Sequence, residues 1–162
     1  MKSVVWMGVV CALVLAVVTA LLLTFVGNPF AAVPTGGLRP GDARLLALGE
    51  QVYTRNCAAC HGVQLQGQPN WRQRDAQGLL PAPPHDASGH TWHHPDEVLI
   101  RITKYGVASG AGLKSYQTAM PIYDGVLSDD EIVAALSWIK AQWPAHIRAK
   151  HDGMNQAAAK QR

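Results

Sequence analysis

Two of the three cysteines stand three positions apart in "RNCAACHGV", Arg55 to Val63, with a histidine directly behind the second. A thiolate is reactive and oxidisable, so so close a pair calls for a chemical purpose. Cys-x-x-Cys-His is the attachment signature for c-type haem. Two thiols that add across the vinyl groups of one porphyrin must reach neighbouring edge positions, and the adjacent histidine then falls beneath the iron. On this reading Cys57 and Cys60 tether the ring, and His61 supplies an axial nitrogen.

Three rival chemistries account for less. A redox dithiol expects alternating strands and helices, which this chain lacks. A zinc site would have to recruit the later "HTWHH", where His90 and His93 are spaced too closely for a finger. A structural disulfide would leave His61 idle. The second axial position falls to a thioether. Met1 precedes the apolar N-terminal run, Met7 lies in it and Met154 lies in the tail, so Met120 of "YQTAMPIYDG" is the methionine of the central region. A sulfur ligand opposite histidine raises the reduction potential and closes the iron to small ligands. The competing reading of Met120 is a gap-filling core side chain.

Three helical segments must position these groups. The first starts near Asp42, an N-cap, with Leu45, Leu46, Gly49, Val52 and Tyr53 on one stripe, and it runs into the cysteine pair. The second is "HPDEVLIRITKYG", with Pro95 in its first turn, Gly106 as its stop and Val98, Leu99, Ile102 and Tyr105 as its apolar face. The third is "LSDDEIVAALSWIKAQWP", where Ser128 and Glu131 make a capping box and Pro144 ends the segment. No stretch alternates as a sheet strand would. The expected class is all-α. The loops 62–94 and 107–127 are long and rich in Gly and Pro, and so small a core needs a staple such as a cofactor.

Before the helices, Val4–Val26 carries no charge. About 23 residues reach roughly 34 Å as a helix, enough for a bilayer core of about 30 Å. The run is too long for the apolar part of a signal peptide, so it reads as an uncleaved transmembrane anchor, with Cys11 as a small apolar residue within it. The expected organisation is a cytoplasmic start at 1–3, the anchor at 4–26, a Pro/Gly-rich tether at 27–41, a haem domain at 42–146 and a basic, disordered tail at 147–162. The net charge of +3 arises largely in that tail. Between Gly41 and His146 acidic residues slightly outnumber basic ones, so the basic patch of a nucleic-acid partner is missing. The tail's cations make acidic lipid headgroups a weak contact.

Between Asp42 and Pro144 the chain resembles a membrane-anchored, monohaem class I cytochrome c. The resemblance rests on a helix entering "CAACHG", on the "MP" loop and on the terminal helix. It implies a small fold around one covalently bound haem c, with first and last helices crossing beside it. Gly49 and Tyr53 would meet Leu136 and Ile139 or Trp138. It also implies that the His61 ring N–H donates to a carbonyl near a proline, with Pro83 and Pro84 as candidates and Pro69 as the alternative. Trp92 and Arg101 are reasonable partners for the haem propionates, which need compensation when buried.

Two features depart from the shortest family members: the basic tail and the loop from Gln68 to His94. That loop carries His85, His90, His93 and His94, which suit either a copper site or plain capping, propionate and solvent roles. The function implied is electron transfer and not enzymatic catalysis. A tethered domain would shuttle single electrons between a donor and an acceptor of a respiratory chain, on the periplasmic side of a bacterial inner membrane. The alternative is a fixed cytochrome subunit of a membrane oxidoreductase such as a terminal oxidase. A haem-based sensor and a copper-handling protein are weaker alternatives.

Overall fold

The computed structural model describes residues 37–161. The expected anchor at 4–26 lies outside those residues, as does most of the tether. Among the described residues no helix is long and apolar enough to cross a membrane. Among the described residues six α-helices and one 3-10 turn follow one another, with no strand.

Helix α1, Ala43–Asn56, begins where the Asp42 carboxylate accepts the Leu45 N–H at 3.1 Å. Leu45, Gly49, Val52 and Tyr53 are its buried residues, spaced by three or four as one helical face requires. A break at Cys57 separates it from the single turn α2, Ala58–His61. The long loop ends in a 3-10 turn, Thr91–His93. Helix α3, Asp96–Tyr105, then runs to Gly106, whose φ of 85° suits a residue without a Cβ. Its apolar stripe divides: Leu99 and Ile100 are buried, while Val98, Ile102 and Tyr105 stay half-buried. Lys104 is buried on the same helix because its Nζ lies 2.6 Å from the Asp129 carboxylate. One further turn, α4, spans Val107–Gly110.

Helix α5, Asp129–Ala141, opens with a complete capping box. The Ser128 hydroxyl accepts the Glu131 N–H, and the Glu131 carboxylate accepts the Ser128 N–H at 2.9 Å. Helices α1 and α5 make the main helix–helix contact of the fold. They touch at Gly49, where a methyl group would collide with the Ala134 carbonyl and the Trp138 side chain. The Tyr53 and Trp138 rings lie 4.9 Å apart beside that contact. Leu136 and Ile139 are buried in the same apolar cluster.

The tail does not follow the sequence expectation. Residues Ala145–Ala159 form a helix, α6, with Ile147 and His151 buried one turn apart. Pro144 ends α5 yet permits a new first turn, where a missing N–H goes unnoticed. Arg148 Nη1 donates to the carbonyls of Ala141 at 3.1 Å and Trp143 at 2.9 Å, binding α6 to the end of α5. Farther along, polar groups fasten α6 to α3. Asn155 accepts the Asp96 N–H at 2.8 Å and donates to the Asp96 carboxylate at 3.0 Å. The same carboxylate accepts the Leu38 N–H at 2.8 Å. Lys140, 3% exposed, reaches Asp152 at 2.7 Å and Asp96 at 3.8 Å. His151 is fully buried and its Nε2 donates to the His94 carbonyl at 2.9 Å.

Candidate functional site

The last turn of α1 delivers the chain directly into the cysteine pair: the Cys57 N–H donates to the Tyr53 carbonyl at 2.8 Å. Cys57 is half-buried and Cys60 is exposed, and both thiols are free. Burial, with the neighbouring Cys60 second, pushes the Cys57 thiol up to about 11. Two phenols brace the backbone on either side. Tyr53 donates to the Gly62 carbonyl at 2.6 Å, and Tyr123 donates to the Asn56 carbonyl at 2.6 Å. Burial pushes the Tyr53 phenol far above its ordinary range, so it remains a donor.

His61 ends α2 and is 8% exposed. Its Nδ1 lies 2.8 Å from the Pro83 carbonyl. A carbonyl only accepts, so Nδ1 carries the proton and Nε2 keeps its lone pair. Burial lowers the His61 pKa, partly offset by the Pro83 bond, which keeps the ring neutral and able to ligate. The Pro84 carbonyl is turned elsewhere, toward the Thr91 hydroxyl at 3.4 Å. Pro83 reaches His61 because the long loop folds back on itself. Gln68 N–H donates to Ala82 at 2.9 Å, the Gln68 side chain accepts the Ala82 N–H at 2.8 Å, and His85 N–H donates to Leu65 at 2.7 Å.

Met120 is half-buried, and its N–H donates to the Thr118 hydroxyl at 3.0 Å. Its segment is moored to the end of α3 by Tyr123 N–H to Thr103 at 3.3 Å and Asp124 N–H to Lys104 at 2.9 Å. Trp92 donates to the Ala87 carbonyl at 3.3 Å and stacks on His93 at 3.7 Å. Arg101 pairs with Glu97 at 3.6 Å. The structure thus joins Cys57, Cys60, His61 and Pro83 in one cluster, while Trp92 and Arg101 are engaged by different neighbours.

The loop histidines are dispersed among aromatic contacts. His90 stacks on Trp71 at 5.5 Å and meets His94 edge-on. Among the described residues no group of three or more His, Cys, Asp or Glu side chains is arranged to hold a metal ion, so the copper alternative finds no chelating cluster. A partner that sequence reasoning left unassigned is His85, whose ring stacks on His61.

The residues present fit a haem. Two thiols directly precede a neutral, oriented imidazole with a free nitrogen, which is the donor set for covalent c-type attachment. The Arg101 Nε is buried with no hydrogen-bond partner among the described residues, a donor suited to a carboxylate brought by the cofactor.

Fold and site together define a small helical electron-transfer haem protein. The chain matches the family model described as cytochrome c over residues 46–143, more than half its length. It is 34% identical over 94 residues to cytochrome c6 of Diacronema lutheri, an alignment covering 58% of this chain and 92% of that protein. No solved structure matches it. The chain belongs to the cytochrome c family, of class I, and its cofactor is one covalently bound haem c.

Proposed function

We propose that this cytochrome is anchored in a bacterial cell membrane and carries single electrons between redox proteins of a respiratory chain on the extracytoplasmic side. The observation that carries the site assignment is the setting of His61: a neutral imidazole next to two free thiols, its Nδ1–H on Pro83 and its Nε2 open. On this reading Cys57 and Cys60 would hold the haem covalently, and His61 and Met120 would ligate its iron. Bound haem supplies reversible one-electron exchange between ferrous and ferric iron. The chain supplies the rest. Pro83 fixes the direction of the imidazole and raises its basicity, as a partner outside the ligand set commonly does. Met120 would offer its thioether sulfur to the iron as the second protein ligand. Arg101 offers its unpaired Nε to a propionate. Support for the anchor comes from the charge-free run Val4–Val26.

A pyridine haemochrome spectrum repeated after acid–acetone extraction tests covalent attachment; colour that moves into the acetone would defeat the thioether assignment. Met120→Ala is expected to abolish the sulfur–iron absorption of the ferric protein and to open the iron to carbon monoxide when reduced. An unchanged spectrum would remove Met120 from the ligand set. Resistance of the full chain to alkaline carbonate extraction from membranes tests the anchor.

A further inference from the structure

His61 is touched twice by one short stretch of the long loop. Pro83 bonds the ring edge at Nδ1, and two residues later His85 covers the ring face, with centroids 3.9 Å apart and planes 22° from parallel. The two contacts restrain different motions. A hydrogen bond in the ring plane fixes where the N–H points. A flat group on the face opposes rotation about the bond joining the ring to its stem, and that rotation sets the plane of the ligand.

His85 is itself held from several directions. Its N–H donates to Leu65 at 2.7 Å, and its carbonyl accepts the indole N–H of Trp143 at 2.7 Å. Trp143 is 1% exposed, so the backbone of His85 is tied to the end of α5. Its ring Nδ1 lies 2.7 Å from the hydroxyl of Thr91, a buried residue whose hydroxyl in turn faces the Pro84 carbonyl. Tyr53, which also braces the cysteine turn, meets the His85 ring edge-on at 6.3 Å. His85 is half-buried, yet Leu65, Trp143, Thr91 and Tyr53 all restrain it, more than filling space requires.

We propose that His85 is a positioning residue for the axial ligand: with Thr91 as its brace, it sets the orientation of the His61 imidazole plane and thereby the electronic asymmetry and reduction potential of the iron. The inference rests on His61 being the axial ligand.

The test uses the holoprotein and reads the ferric state by electron paramagnetic resonance and by haem-methyl proton shifts, both sensitive to the ligand plane. His85→Leu removes the flat face at similar volume, and a changed g-value pattern with a lower midpoint potential is expected. His85→Phe restores a flat face and is expected to return most of the native pattern. Thr91→Val leaves the stack but loosens it, so a smaller change in the same sense is expected; it decides the matter if His85→Leu does not accumulate as holoprotein. Native spectra in both His85→Leu and Thr91→Val, or a phenylalanine variant as altered as the leucine one, would overturn the proposal. His61→Ala is the separate control. If it keeps a native low-spin spectrum the ligand assignment fails, whereas loss of that spectrum alongside unaltered His85 variants sinks only the positioning role.

Discussion

At the scale of single residues, the cysteines and the histidine behind them do separate jobs. His61 is buried, neutral and fixed at its edge by Pro83, while Cys60 is exposed and Cys57 sits half-covered with its thiol pushed up to about 11. At neutral pH burial therefore keeps an unlinked Cys57 thiol protonated, and a thiol is a poorer nucleophile than a thiolate. The division predicts how single variants behave. Cys57→Ala or Cys60→Ala should each retain haem through the remaining bond, with the haemochrome band moved to longer wavelength because one vinyl group stays conjugated. The double variant should release its haem to acid–acetone. A single variant with a native band position would mean that its cysteine carries no link. The motif itself was legible in the sequence, because five adjacent residues contain both thiols and the imidazole. The His85 stack was not, since it depends on the loop closing through Gln68, Ala82 and Leu65, pairings that leave no periodic trace.

At the scale of helices, caps and close approaches decide the arrangement. The Ser128–Glu131 box and the Asp42 cap are local, so both were readable, and both are present. The Gly49 contact is of another kind, since its value lies in what is absent. Ser128→Ala should lower stability by about 1 kcal/mol. Gly49→Ala should lower it more, by up to about 3 kcal/mol, because the added methyl meets the backbone of Ala134, which cannot turn aside. Chemical denaturation of the two holoprotein variants checks the ranking, and a Gly49→Ala protein of native stability would show that α1 and α5 can separate at no penalty. Helix α6 departs from the disorder expected of the tail for a physical reason. Its inward residues are Ile147, His151 and Asn155, spaced by four as a helix requires but with one apolar member. A hydrophobic pattern search finds nothing there, because the helix is fastened by hydrogen bonds to α3 and to the end of α5.

At the scale of the whole molecule, α6 gives the fold a dependence on proton concentration. Burial, and then the nearby Lys140 cation, hold the His151 pKa below its ordinary value, against the opposing pull of Asp96, the His94 carbonyl and Asp152. The folded state thus resists a proton that the unfolded chain accepts at about pH 6.5. The stability tied to a neutral His151 is complete above that pH and is lost progressively below it. The melting temperature of the holoprotein should fall between pH 7.5 and pH 5.5, and His151→Gln should show a shallower fall. Some slope should persist, because burial also lowers His90 and His94. Equal slopes in both proteins would exclude His151 as a contributor. The Asp96 carboxylate has a mechanical consequence as well. It grips Leu38, close to the first described residue, and Asn155, near the close of α6. A pull on Leu38 is therefore passed through one carboxylate to the C-terminal helix. The neighbouring Arg39 N–H donates to the Ser137 hydroxyl of α5 at 2.9 Å, so a pull on this end is shared among three helices before it reaches the cysteine turn.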